Sequence, residues 1–133
     1  MKILRTYSES ATPREIYQLT RNPGVQKLSD MSNQLFHLGK WCQYDDGTEE
    51  KPKLILTMQE KETGVIYGTN SITFNNQFAD LMDYARETEM EVKEIFILAQ
   101  KSRNGRDFLQ CHLPDENGED GGNENEYSLS TLS

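Results

Sequence analysis

The sequence predicts a mainly β fold in which five strand-like segments accompany one amphipathic helix. Three observations support this prediction. Strand-like segments recur after residue 32, helical periodicity occurs between the third and fourth of them, and turn-forming residues separate the others. The chain of 133 residues suits one domain. We therefore predict a β-rich body at residues 33–113, preceded by residues 1–32 and followed by a polar tail at residues 114–133.

The segment before the body contains one short helix. Thr12 is suited to cap its first turn, Pro13 to occupy the first helical position, and Glu15 to complete a capping box. The sequence Asn22-Pro23-Gly24 ends the helix after about two to three turns. The residues that precede it lack a core-forming pattern, so we interpret residues 1–32 as an arm followed by a helix.

The five predicted strands are short and are bounded by turn signals. They cover residues 33–44, 53–60, 65–71, 92–100 and 106–113. Gly39 interrupts the first strand, which is typical of a bulge or a tight bend. The last two strands are separated by a turn that contains Asn104-Gly105, and this pair favours a hairpin.

The clearest helix lies between the third and fourth strands. Its apolar residues recur at helical spacing and are Phe74, Phe78, Leu81, Met82 and Ala85. Ser71 or Thr73 is suited to cap its first turn. The order β-β-β-α-β-β matches the five-stranded, partly open barrel called the OB-fold, with its helix between strands three and four. Another small α+β sheet with the same element order is the alternative.

Charge is distributed unevenly along the chain. Six of the 22 acidic residues lie in residues 114–133, which contain no base, so 16 acids face 14 Lys and Arg in residues 1–113. Residues 1–113 therefore have a net charge of −2, whereas the tail carries six of the eight net negative charges. This composition predicts a disordered tail that competes with an anionic ligand, recruits basic partners or keeps the protein soluble.

Motifs for catalysis, metal binding and membrane insertion are not recognisable. The chain has no phosphate-binding glycine loop and no nucleophile elbow, and His37 and His112 lie within predicted strands. Together with Cys42 and Cys111, these histidines match no zinc pattern. No secretory apolar region or membrane-length run is present. We therefore predict a cytoplasmic, non-catalytic protein with free thiols, no cofactor, no metal and no membrane association.

Aromatic and basic residues on the predicted strands form the candidate site. Single-stranded nucleic acid exposes base faces and a charged backbone, so a general binder needs aromatic platforms with cations beside them. The candidate site residues are Lys40, Trp41, Tyr44, Tyr67, Lys101, Arg103, Arg106 and Phe108. Strand alternation places Phe108 on a mixed face, opposite Leu109, where a platform is expected. A packing role is the alternative for Trp41 and Tyr67.

Three stretches resemble a known family. They are Glu-Ile-Tyr-Gln-Leu-Thr-Arg at residues 15–21, Tyr-Gly-Thr-Asn-Ser-Ile-Thr-Phe at 67–74, and Gly-Arg-Asp-Phe-Leu-Gln-Cys at 105–111. Together they resemble the single-stranded DNA-binding proteins of Gram-positive phages and conjugative plasmids, including the PrgE-like proteins. The resemblance implies an OB-fold, no enzymatic activity, sequence-tolerant binding and self-association of protomers along DNA, for which the N-terminal arm is a candidate link.

The sequence and the resemblance together predict a protein that coats single-stranded DNA, with RNA as an alternative, during phage or plasmid replication or conjugative transfer. Bases would stack on Trp41, Tyr67 and Phe108, and the candidate lysines and arginines would hold phosphates. An OB-fold module that binds a peptide or protein in the same groove is the main alternative, and the acidic middle of the chain favours it. An acidic DNA mimic would need ordered rows of acids, whereas most of the excess lies in the tail.

Overall fold

Seven strands form one strongly curled half-barrel sheet, accompanied by two α-helices, in a computed structural model that describes residues 1–114. The strands are β1 (Lys2–Thr6), β2 (Gln26–Lys27), β3 (Gln34–Asp45), β4 (Leu54–Glu60), β5 (Ile66–Thr69), β6 (Glu94–Lys101) and β7 (Asp107–His112). The helices are α1 (Pro13–Arg21) and α2 (Ile72–Thr88), and a short 3-10 helix (Leu28–Met31) follows β2. The mainly β prediction is thus confirmed. Apart from Pro114, the predicted tail lies outside the described residues.

The sheet curls around β3, its longest strand. The order along the sheet is β2-β5-β4-β3-β6-β7, and β1 also pairs with β3. The first part of β3, Gln34–His37, pairs with β6, whereas its last residues lie between β1 and β4. A register shift between Leu38 and Trp41 confirms the bulge predicted at Gly39. A Cβ atom at Gly39 would lie 3.0 Å from the Gln59 carbonyl oxygen, so this close approach favours glycine.

The two faces of β3 support two separate apolar clusters. The larger cluster packs α2, through Phe74 and Phe78, against inward-facing residues of β3, β4 and β6. The smaller cluster packs Leu19 of α1 against Cys42 and Tyr44 of β3 and against Ile66. Each fully buried side chain of this size contributes roughly 1.5–3 kcal/mol to stability. The sheet is therefore covered by a helix on both faces near β3.

Both helices begin at the residues expected from the sequence. The Thr12 hydroxyl accepts a hydrogen bond from the Glu15 amide at 3.2 Å, and the Glu15 carboxylate accepts one from the Thr12 amide at 2.9 Å. This pair confirms the predicted capping box. Ser71 caps α2 by accepting a hydrogen bond from the Phe74 amide at 3.2 Å. Within residues 1–114, neither helix is long and apolar enough to cross a membrane.

Two strands were not predicted from the sequence. Lys2–Thr6 form β1 on the edge of β3, although this segment shows no sustained apolar alternation. The two-residue strand β2 pairs with β5 in parallel, with Gln26 opposite Tyr67 and Lys27 opposite Gly68. Because β2 lies on the free edge of β5, it and the following 3-10 helix lie beside the opening between β5 and β7.

Candidate ligand-binding groove

An open cleft of about 610 Å³ lies between the end of β5 and the start of β7. Its walls are formed by residues 25–29, the start of β4, the corner at residues 68–71 that joins β5 to α2, and residues 107–109. A second cleft of about 420 Å³ shares Ser29 and residues 107–109 with the first. We refer to these two adjoining clefts as the Phe108 groove.

Phe108 lies where the two clefts meet. Its side chain is half-buried, whereas the adjacent Leu109, which also lines both clefts, is only 9% exposed and packs in the larger apolar cluster. This alternation agrees with the arrangement expected for the last strand. Because Leu109 anchors β7 in the core, Phe108 is held on a firm support beside the opening.

Three lysines line the same groove as Phe108. Lys27 and Lys53 line the larger cleft, and Lys101 lines the smaller one. All three residues are exposed. The Lys101 ammonium lies 3.4 Å from a carboxylate oxygen of Asp107, and both side chains are more than 70% exposed, so solvent screens this pair strongly. The groove therefore combines one aromatic side chain with three solvent-accessible cations and one acid.

Arg103 and Arg106 lie beyond Lys101 on the exposed turn between β6 and β7. The Ser102 amide donates to the Arg106 carbonyl at 2.8 Å, and the Gly105 amide donates to the Ser102 carbonyl at 2.9 Å. Gly105 has a φ of 77°, which a glycine adopts without steric cost. Neither arginine lines the two clefts; both lie on the turn that connects Lys101 to Asp107, two residues of the groove wall.

Trp41 lies in the core instead of on the surface. Its side chain is 7% exposed, and its ring packs edge-on against Phe78 with centroids 4.9 Å apart. The bulge at Gly39 shifts the alternation along β3, so Trp41 shares the inner face with Phe36 and Leu38. Because a base can stack only on a ring face that is open to solvent, we remove the buried Trp41 from the candidate site.

Tyr44 is also removed from the candidate site. It lies on the outer face of β3, but it packs in the smaller cluster beneath α1 and is buried. Burial is the main reason that the pKa of the Tyr44 hydroxyl is raised, with a further contribution from the negative charge of Asp46. The sequence pattern did not indicate that α1 would cover this face.

Tyr67 and Lys40 are partly exposed, but they do not line the groove. The Tyr67 ring contacts Phe36 edge-on, with centroids 5.7 Å apart, and packs against the larger cluster. The Lys40 ammonium lies 2.7 Å from a carboxylate oxygen of Glu15. The Tyr7 hydroxyl donates to the same carboxylate at 2.6 Å. Lys40 therefore joins α1 to β3 instead of standing free for a phosphate.

This pairing strongly favours the charged form of Glu15. The hydrogen bond from Lys40 is the largest cause, followed by those from the Thr12 amide and the Tyr7 hydroxyl. Together they lower the pKa of Glu15 to about 2. The same contact raises the pKa of Tyr7 to about 12. At neutral pH the Tyr7 hydroxyl thus keeps its proton and the Glu15 carboxylate remains charged.

The structure thus brings together only part of the site predicted from the sequence. Phe108 and Lys101 line the groove, whereas Arg103 and Arg106 lie on the adjoining turn between β6 and β7. Lys27 and Lys53 were missed, because the pairing of β2 with β5 and the curl of the sheet bring them to the groove from distant segments. Their sequence context carries no signal beyond a positive charge near a predicted strand.

The two cysteines and the remaining metal-ligand types add no second site. Cys42 and Cys111 are free thiols, and burial raises their pKa to about 11 and about 12, respectively. Both therefore remain protonated at neutral pH. Among residues 1–114, no group of three or more His, Cys, Asp or Glu side chains is arranged to hold a metal ion.

Comparisons with protein-family models, with curated proteins and with solved structures found no match to this chain.

Proposed function

We propose that this protein is an OB-fold binder of single-stranded nucleic acid, with DNA as the primary ligand, and that it binds through the Phe108 groove. The order of β3, β4, β5, α2, β6 and β7, together with the pairing of β3 to both β4 and β6, supports the OB-fold. OB-folds bind oligonucleotides on the face of strands two and three and with the loops that join strands one and two and strands four and five. Lys53 and Lys101 lie at the ends of the corresponding loops here.

The single observation that carries this proposal is the position of Phe108 in an open groove with three lysines. A base stacked on one aromatic side chain contributes on the order of 1–3 kcal/mol. Each phosphate neutralised on single-stranded DNA adds about −0.7 to the slope of log K against log salt. One platform and three lysines therefore predict modest affinity for each protomer and a slope near −2.

A titration of fluorescein-labelled oligo-dT, followed by anisotropy at two salt concentrations, tests this function. Wild-type protein should bind, and more weakly at higher salt. Phe108→Ala should weaken binding by roughly fivefold or more, which corresponds to the loss of one stacked base. Tyr17→Ala is the matched control, because Tyr17 is an aromatic residue 65% exposed on α1.

The label belongs on the oligonucleotide because Trp41 is buried and its fluorescence need not respond to a base in the groove. An absence of binding at low salt would refute the proposal. Equal losses in Phe108→Ala and Tyr17→Ala would instead place binding outside the groove. Oligo-rU of the same length, titrated in parallel, measures the preference between DNA and RNA.

The biological setting of this proposal rests on the family resemblance. In this setting, several protomers coat single-stranded DNA during phage or plasmid replication or conjugative transfer. The N-terminal segment remains the proposed link between protomers, and its strand β1 exposes the apolar side chains of Ile3 and Leu4. Elution volume measured with and without oligo-dT tests whether several copies assemble on one strand.

A second candidate function is the binding of an extended peptide in the same groove. The strand β7 ends the sheet order, and the Cys111 amide points away from β6 to donate to the Gln77 side chain at 2.8 Å. By alternation, the backbone of Leu109 also faces away from β6, where an added strand could pair with it. A stoichiometric protein partner that Phe108→Ala no longer binds, together with no binding of oligo-dT, would favour this function.

A further inference from the structure

Two amide side chains are completely buried between β3 and α2. Gln43 is 1% exposed and Asn75 is 0% exposed. Buried polar side chains of this kind are nearly always hydrogen-bonded, because an unpaired one costs the loss of its hydration. The Gln43 Nε2 donates to the side-chain oxygen of Asn75 at 2.9 Å and to its backbone carbonyl at 3.1 Å.

Asn75 connects Gln43 to the wall of the Phe108 groove. Its Nδ2 donates to the Ser71 carbonyl at 2.8 Å and to the Thr69 carbonyl at 3.4 Å. Thr69, Asn70 and Ser71 line the larger cleft. The backbone of the corner between β5 and α2 is therefore hydrogen-bonded to the Asn75 side chain, which in turn accepts a hydrogen bond from Gln43.

The other end of this chain of contacts lies on the N-terminal strand. Arg5 is directly opposite Gln43 in the pairing of β1 with β3, and its Nη1 donates to the Gln43 Oε1 at 3.2 Å. The Arg5 guanidinium also pairs with the Asp83 carboxylate on α2, at 3.2 and 3.4 Å. We call Arg5, Gln43 and Asn75 the Arg5 relay.

The relay has a fixed direction. Gln43 presents its oxygen to Arg5 and its nitrogen to Asn75, so a flipped amide would place two oxygens against each other at Asn75. Without Arg5, the Gln43 oxygen loses its charged donor. The flipped amide would then no longer place its nitrogen against the Arg5 guanidinium. The docking of β1 through Arg5 therefore reinforces the orientation of the Gln43 amide, and with it the contact that holds the corner.

We propose that Gln43 and Asn75 are positioning residues of the Phe108 groove, and that the docking of β1 through Arg5 sets the affinity of the groove for its ligand. This inference rests on the proposed function only for the identity of the ligand. It adds a route by which the N-terminal strand, which contacts neither cleft, controls binding.

The test compares Arg5→Met, which removes the donor, with Arg5→Lys, which keeps a cationic donor, and with Lys2→Met, which removes an exposed positive charge from the same strand. Binding of labelled oligo-dT is measured well below the unfolding temperature of each variant. Arg5→Met should bind about three- to tenfold more weakly, corresponding to one hydrogen bond. Arg5→Lys and Lys2→Met should remain within about twofold of wild type.

Hydrogen exchange supplies a second measurement that needs no ligand. Arg5→Met should accelerate exchange of the Ser71, Phe74 and Asn75 amides, which are bonded within the corner. Gln43→Met, which fills the same space without an amide, should have the same effect. If Gln43→Met does not fold, the partly exposed Arg5 variants decide the question.

The outcomes separate the two proposals. Wild-type binding with unchanged affinity and unchanged exchange in Arg5→Met would overturn the relay and leave the proposed function standing. If wild-type protein does not bind oligo-dT, the proposed function fails. In that case faster exchange at the corner still supports the positioning role, and unchanged exchange overturns it.

Discussion

Replacing Lys27 and Lys53 by glutamine should reduce the salt dependence of DNA binding more than a double substitution of surface lysines outside the groove. Both residues line the larger cleft, and together with Lys101 they are the cations that line the groove within residues 1–114. At about −0.7 for each phosphate contact, the three lysines predict a slope near −2. The double variant should retain a slope near −0.7.

A matched control separates local contacts from the overall charge. Lys61→Gln with Lys93→Gln removes the same two charges, but Lys61 follows the far end of β4 from Lys53, and Lys93 precedes the far end of β6 from Lys101. Eight residues of strand span about 25 Å, which is several Debye lengths at physiological salt. The control should therefore keep a slope near −2.

Anisotropy titrations of labelled oligo-dT at four salt concentrations give both slopes. If the two double variants show the same slope, binding responds to the net charge of the protein and the groove assignment is wrong. If the groove variant alone becomes flatter, the phosphates lie beside Lys27 and Lys53. A variant with unchanged slope but weaker binding at every salt concentration would indicate that the lysines shape the groove without contacting phosphate.

Three further predictions concern the fold, the pH dependence and the tail. Phe78→Ala should destabilise the protein by about 3–5 kcal/mol in urea unfolding, because it leaves a cavity beneath Trp41 in the larger cluster. The lowered pKa of Glu15, about 2 against an ordinary 4.5, predicts that its contribution to stability is present above pH 4.5 and is lost as the pH falls towards 2. Thermal unfolding should therefore show the advantage of wild type over Glu15→Gln shrinking across that range, and a constant difference would contradict the assignment. Removal of residues 114–133 should leave the circular dichroism of the fold unchanged and tighten binding of oligo-dT, whereas unchanged or weaker binding would argue against competition by the tail.

Local periodicity was sufficient to predict the elements that form the sheet and its main helix. The five predicted strands correspond to β3–β7, and the spacing from Phe74 to Ala85 correctly indicated α2. The strand β1 was missed because an edge strand need not bury a regular face, and its side chains are largely exposed. The strand β2 was missed because two residues carry no period, and its parallel pairing with β5 is a tertiary contact.

The candidate site was predictable only where local geometry decides the outcome. A hairpin with strict alternation placed Leu109 inward and Phe108 outward, as the structure has them. For Trp41 the bulge at Gly39 reversed the alternation of inward-facing and outward-facing side chains. A glycine in a strand can indicate a bulge, but it does not indicate which face the following residues take. For Tyr44 the exposure depended on where α1 docks, which strand periodicity cannot indicate.

The slight negative charge of residues 1–113 is a weaker argument against DNA binding than its value suggests. The α2 helix begins at the groove wall and carries Asp80, Asp83 and Glu87 on its second half, where they line a different cleft. These three acids lie about 14, 18 and 24 Å along the helix axis from Ser71, at 1.5 Å per residue, which exceeds the Debye length in each case. Charges at that distance are screened at physiological salt, whereas Lys27 and Lys53 lie in the groove itself. The potential that a phosphate meets there is therefore set by the nearest side chains. Replacing Asp107, the acid that lines the groove and faces Lys101, by asparagine should strengthen binding.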